Sequence, residues 1–181
     1  MADFKIIIDN VLIEYLGRSE YVFIPSGVTR IGDRAFKDRE DIMSIEIPDG
    51  VTHIGLEAFY GCTSLANVTI PGSVVSIDYR AFSRCSSLKN IVIPNGVGTI
   101  EDMTFYGCKS LTNVTIPKSV TRIGNSAFLG CENLTTITIP DSVTDIGINA
   151  VFRLHTQTIR VTENSFAAEY AKQNKINLEI I

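Results

Sequence analysis

The sequence predicts an α/β repeat protein: a right-handed solenoid with a parallel β-sheet along one face. A strand cap closes its N-terminal end and a helix–strand cap its C-terminal end. Three observations carry this. All six prolines, Pro25, Pro48, Pro71, Pro94, Pro117 and Pro140, lie 23 residues apart. An isoleucine precedes each of them, from Ile24 to Ile139. A phenylalanine follows eleven positions later in five units (Phe36, Phe59, Phe82, Phe105 and Phe128), and the sixth unit has Val151. A unit this short cannot bury its own apolar side chains, but stacked copies can.

Each element of the unit has a physical reason. In "LANVTIP", Leu65 to Pro71, the apolar residues Val68 and Ile70 alternate with Asn67 and Thr69, as in a half-buried strand. Proline ends the strand because it cannot donate to a ladder. Gly or Ser two positions later marks a turn, as at Gly50, Ser73 and Gly96. "VTHI" is a second short extended run with Val51 and Ile54 inward, and Gly55 reverses the chain. "LEAFYGC" is too short for an independent helix and reads as one helical or 3₁₀ turn, with Ala58, Phe59 and Cys62 inward. Gly61 frees the backbone to turn toward the next strand.

The boundaries follow from the period. Residues 1–23 read as the N-terminal cap, 24–161 as six repeats with an irregular last one, and 162–181 as the C-terminal cap, all in a single domain of 181 residues. Phe4 to Leu16 reads as two strands around Asp9 and Asn10, a hairpin-like lid. At the other end the period slips by one residue at Ile159 and Val161. "NSFAAEYAKQNK" then reads as a helix capped by Asn164 or Ser165. Phe166, Ala167, Tyr170 and Ala171 share its apolar face, and Lys172 and Lys175 suit its C-terminus. "INLEII" reads as a closing strand.

Totals exclude several function classes. The net charge of −4 argues against a nucleic-acid or anionic-membrane footprint. No run of about 18 apolar residues exists, so membrane insertion is not expected. "MADFKIIIDNVLIEYLG" lacks the order of a signal peptide, because Asp3 precedes any basic residue and Asp9, Asn10 and Glu14 interrupt the apolar stretch. The chain as it stands reads as cytoplasmic, and as cell-surface or secreted if a leader was removed.

No catalytic constellation emerges, so no enzyme, cofactor or metal is expected. His53 and His155 lie about four coils apart and read as bland surface or edge residues. The glycines recur at turns and form no phosphate loop. Glu40 and Asp41 read as solvated turn carboxylates. The sequons at Asn67, Asn113 and Asn133 recur because the repeat recurs.

The four cysteines, Cys62, Cys85, Cys108 and Cys131, are also 23 residues apart. Stacking sets their side chains in a row. A row cannot converge on one zinc ion, and ladder side chains that point the same way do not reach disulfide geometry. Buried thiols acting as small hydrophobes are the expected outcome.

The columns together, L-x-x-(I/V)-x-I-P-x-(G/S)-V-x-x-I-G-x-x-A-F-x-x-C, resemble the BspA-type class of bacterial leucine-rich repeats from Ile24 to about Val151. Asp78 and Glu101 depart from the turn glycine, Thr104 from the alanine, and Arg39 from the cysteine. The resemblance implies a leucine-rich-repeat solenoid. It also implies, for some members, surface attachment or adhesion to host proteins.

What remains for function is a surface. Strand positions four and two before each proline should point outward. They are Tyr21, Phe23, Ser44, Glu46, Asn67, Thr69, Asn90, Val92, Asn113, Thr115, Thr136 and Thr138. A rigid, extended face of this kind suits recognition of a protein partner. The alternatives are a cytoplasmic scaffold, or a carbohydrate-binding protein using Tyr21 and Phe23 as aromatic platforms.

Overall fold

A computed structural model describes residues 4–151 and 158–181. It is a solenoid of parallel strands with about seven turns and one short helix near the C-terminus. The N-terminal hairpin is β1 (Phe4–Ile7) and β2 (Val11–Tyr15), paired antiparallel across a 3₁₀ turn at Ile8–Asn10. Two rows of strands then alternate along the chain. The first row lines the predicted face: β3 (Tyr21–Phe23), β5 (Ser44–Glu46), β7 (Asn67–Thr69), β9 (Asn90–Val92), β11 (Asn113–Thr115) and β13 (Thr136–Thr138). The second row comprises β4 (Arg30–Ile31), β6 (His53–Ile54), β8 (Ser76–Ile77), β10 (Thr99–Ile100), β12 (Arg122–Ile123) and β14 (Asp145–Ile146). β15 (Thr158–Val161), α1 (Phe166–Gln173) and β16 (Asn177–Ile180) close the stack.

The sheet is therefore not confined to one face. The second extended run also pairs in parallel, with Ile31, Ile54 and Ile77 in register, and Ile100, Ile123 and Ile146 likewise. The hairpin caps this second row through β2, whose Leu12 pairs with Ile31.

The segment before each cysteine is not a helical turn, and its backbone shows why. Glu57 and Gly61 both have positive φ, 51° and 73°, and the equivalent residues of other coils repeat this, including Arg80 (55°), Arg84 (62°) and Met103 (57°). Left-handed residues break any helical run. They also turn alternate N–H groups toward the next coil. Glu57, Phe59 and Gly61 donate to Tyr79, Ala81 and Ser83 at 3.0, 2.8 and 2.9 Å. The turn edge is thus a third inter-coil ladder.

Inside these ladders lies one apolar cluster. Phe36, Phe59, Phe82, Phe105 and Phe128 are all buried, and successive rings stack with centroids 5.0, 5.0, 5.8 and 5.4 Å apart. Tyr15 extends the column into the N-terminal cap, 5.3 Å from Phe36. Burial of each ring stabilises by roughly 1.5–3 kcal/mol.

The strand rows are interrupted at two intervals. Among the described residues the first row lacks pairing between β11 and β13, and no strand pairing joins β7 to β9 or β8 to β10, so both rows break between the third and fourth coils. This second interval is also where the ring spacing widens to 5.8 Å. The turn edge stays bonded there, through Arg80, Phe82 and Arg84 donating to Asp102, Thr104 and Tyr106 at 3.3, 3.0 and 2.7 Å, and Ser87 and Lys89 donate to Thr63 and Ala66 at 3.2 and 3.4 Å just before the first row. In the second row the break coincides with two successive departures from the turn glycine. At Gly55, Gly124 and Gly147 a Cβ would lie only 2.9, 2.5 and 2.6 Å from a backbone nitrogen of the preceding coil. Glu101 carries that Cβ and faces a coil whose equivalent residue is Asp78, a second carboxylate. Asp78 also carries a Cβ yet donates to the Ile54 carbonyl at 2.9 Å in a paired coil, so loss of glycine alone does not open the ladder; what Glu101 adds is a second carboxylate facing the first. Gly55 and Gly124 donate to the isoleucine carbonyls of the preceding coil at 2.9 and 2.7 Å, whereas the Glu101 N–H has no such bond among the described residues.

The C-terminal cap differs in detail from its expectation. Ser165 is the N-cap, accepting from the Ala168 N–H, and Lys172 pairs with Glu169 in the last turn. Ala167, Ala168 and Ala171 form the buried stripe, while Phe166 is 46% exposed. The stack end accepts small residues at close approach, so the large ring is displaced outward. β16 pairs in parallel with β15, which itself pairs with β13.

The broken interval generates a prediction. By hydrogen–deuterium exchange, the Glu101 amide exchanges at least about tenfold faster than those of Gly55 and Gly124, because no ladder bond protects it. Glu101→Gly slows exchange at position 101. Equal protection in the native chain would contradict the break.

Candidate interaction face

Strand pairing sets the proposed face residues in two rows. Tyr21, Ser44 and Asn67 are in register, as are Phe23, Glu46 and Thr69. Asn90 faces Asn113, and Val92 faces Thr115. All twelve point away from the core; Ser44 is half-buried and the others are exposed. The alternation forces this, because Val22, Ile45, Ile91 and Ile137 between them are buried. The Asn113 side-chain amide donates to Asn90 Oδ1 at 2.9 Å, a rung of an asparagine ladder. The three large apolar members stand well into solvent: Tyr21 is 60%, Phe23 70% and Val92 63% exposed.

The face runs two strands further than the sequence suggested. Thr138 is in register with Arg160 of β15, and Arg160 with Glu179 of β16. Arg160 and Glu179 form an ion pair at 2.8 Å. The one-residue slip of the period hid Arg160, although its apolar neighbours Ile159 and Val161 carried the alternation.

The first edge of the face is guarded. Val22 and its alternate neighbours bond toward β5, so Tyr21 and Phe23 direct their backbone groups outward. The Ser19 hydroxyl accepts from the Tyr21 N–H (3.2 Å) and donates to the Tyr21 carbonyl (2.6 Å). One short side chain thus occupies a strand edge that would otherwise be open to pairing.

Arg39 anchors the same end. It stands where later coils have cysteine, and the substitution has a clear use. Each cysteine S–H donates to a phenylalanine carbonyl of the preceding coil: Cys62 to Phe36, Cys85 to Phe59, Cys108 to Phe82 and Cys131 to Phe105, at 3.0–3.2 Å. Arg39 makes the equivalent bond to the Tyr15 carbonyl at 2.8 Å, and its guanidinium also reaches the Gly17 carbonyl. It forms a bidentate pair with Asp41 at 3.0 and 2.7 Å. Asp41 is therefore not a free solvated carboxylate: the hydrogen bond from Arg39 holds it below its ordinary range.

Other charged groups are committed away from the face. Glu57, buried on the turn edge, accepts from Arg34 (3.0 Å) and Lys37 (2.8 Å), with Arg80 at 3.6 Å. The Lys37 bond leads in keeping its carboxyl below the usual range against the cost of burial. His53 Nδ1 lies 2.8 Å from the Thr52 hydroxyl, and His155 lies outside the described residues. Among the described residues, no group of His, Cys, Asp and Glu could hold a metal ion, and no helix is long and apolar enough to cross a membrane.

With this geometry in view, comparison with known proteins is direct. The model of the BspA type leucine-rich repeat region matches in six copies, over residues 7–111 and 98–179. The chain belongs to that family. It is similar to a leucine-rich cell surface protein from Faecalibacterium prausnitzii, at 32% identity and a TM-score of 0.71. That match covers 87% of this chain and 52% of the other, so the chain spans about half the length of this relative. The leucine-rich repeat protein TpLRR of T. pallidum shares the fold, with 24% identity, a TM-score of 0.73, and 97% and 94% of the two chains covered. So does the pneumococcal vaccine antigen PcpA, with 19% identity, a TM-score of 0.77, and 97% and 45% covered. A search of curated proteins gives no match.

The cysteine column yields a prediction. All four thiols are free and buried, and burial pushes those of Cys62 and Cys131 up to about 12 and the two between them well above their ordinary value. The native protein therefore shows no thiol reactive toward an aromatic disulfide reagent at neutral or mildly alkaline pH. Unfolding without reductant releases all four; fewer would reveal a disulfide.

Proposed function

We propose that this chain is a non-enzymatic interaction module that recognises a protein through its strand-lined face. The observation that carries this reading is the pair of side-chain rows running along the face. They are presented on backbone ladders rather than on mobile loops, and they include exposed aromatic and aliphatic side chains. A rigid surface loses little conformational freedom on binding. Membership of the BspA-type repeat family supports an interaction role.

Adhesion at a bacterial surface is the finer reading. It is supported by the 32% identical relative described as a cell surface protein. In this reading the solenoid contributes contact area and its partner supplies the complementary anchors. Few arginine or aromatic anchors lie in the middle of the face, so affinity comes from its length and its two ends.

The test uses a panel of immobilised host extracellular proteins and surface plasmon resonance. The triple variant Asn67→Lys, Asn90→Lys, Asn113→Lys weakens the binding seen with the native chain by at least about tenfold. The variant Thr121→Lys, Thr144→Lys, altered beside the second row, binds as the native chain does. Equal binding by the native chain and the triple variant would overturn the face as the recognition surface.

A further inference from the structure

Tyr21 and Phe23 have no part in closing the solenoid. The core at this end is sealed by Leu12, Tyr15 and Val22, each nearly inaccessible, while the two aromatic rings are 60% and 70% exposed. Two large exposed rings on one short strand carry a solubility cost that the cap does not require. They lie at positions i and i+2 and therefore share the outward side of β3.

Beside them stands a carboxylate. Glu46 is the register partner of Phe23 on β5, is exposed, and has no ion pair among the described residues. Asp49 lies three residues further, exposed, just past the strand. Three cations of this end are drawn elsewhere. Arg34 and Lys37 hold Glu57 on the turn edge, and Arg39 is fixed by Asp41 and the cap carbonyls. The first two coils thus offer rings and free carboxylates together on one side.

That pairing has a specific complement. An arginine or lysine lays its apolar stem on an aromatic face, presents its charge to the ring quadrupole, and completes the contact on a carboxylate. We propose that Tyr21, Phe23 and Glu46 form a docking corner for a basic, extended segment of a partner protein, with an arginine or lysine side chain seated between the Phe23 ring and the Glu46 carboxylate. The inference rests on the strand-lined face being the recognition surface and names the chemistry recognised at its N-terminal end. Neutral glycans also stack on exposed rings, but they make no use of an unpaired carboxylate as a counter-charge.

The experiment is an amide-detected NMR titration of the full chain with three probes: an octapeptide alternating Arg and Ser, the matching Glu and Ser octapeptide, and a neutral maltooligosaccharide. The arginine peptide shifts the resonances of Tyr21, Phe23 and Glu46, and added salt reduces the effect. Glu46→Gln and Phe23→Ala each weaken it by about fivefold, and both positions are exposed, so the fold persists. Shifts of equal size with the glutamate peptide or the sugar overturn the assignment, as do variants that bind like the native chain. Shifts confined to Thr115, Thr136 and Thr138 overturn the corner while supporting the face. Shifts confined to the second row or the turn edge overturn both.

Discussion

Stacked phenylalanine rings, held at centroid spacings of 5.0–5.8 Å by backbone hydrogen bonds from coil to coil, are the contact on which the molecule depends. No single coil encloses a core. Phe59 is buried because Phe36 and Phe82 lie on either side of it, and each of those depends in turn on the next coil. The ladders set the spacing, and the rings fill it. Cysteine suits the position beside this column because it is small, apolar, and able to give its S–H to a carbonyl of the coil before. Arg39 reproduces that bond where the stack ends and a longer reach is needed.

The same dependence explains where the stack is weakest. Glycine at the turn is a spacing device: it lets neighbouring backbones approach closely enough for the second-row ladder to form. Asp78 tolerates its loss and keeps the bond to Ile54, but at Glu101, where a second carboxylate meets the first, the second-row ladder is interrupted. The turn edge keeps its three bonds there, and Ser87 and Lys89 donate to Thr63 and Ala66 before the first row, so the coils remain joined on both sides of the gap. Val92, the one aliphatic member of the exposed face rows, sits on the strand that follows this break.

Much of this was legible in the sequence because each repeating residue type has one dominant physical role. Proline marks the strand end, the inward isoleucines mark the alternation, and phenylalanine marks the core column. The turn segment was harder. A short run ending in Gly-Cys suits a helical turn by composition, and only backbone geometry reveals the left-handed residues at Glu57, Arg80 and Met103, where non-glycine side chains gave no warning. The break between coils was visible as two substitutions, Asp78 and Glu101, but its consequence depends on how closely adjacent backbones approach. The face rows followed from alternation alone as far as Thr138. Beyond it the slipped register concealed Arg160, and the paired backbone groups of Tyr21 concealed the use of Ser19.

The central claim is that burial energy is shared between coils rather than held within them. Phe82→Ala, assayed by urea unfolding together with amide exchange at Phe59 and Phe105, tests it most directly. The expected result is a loss of roughly 3–5 kcal/mol with faster exchange in both flanking coils. A loss below about 1 kcal/mol, well short of the usual cost of such a cavity, with both flanking amides unchanged, would contradict it.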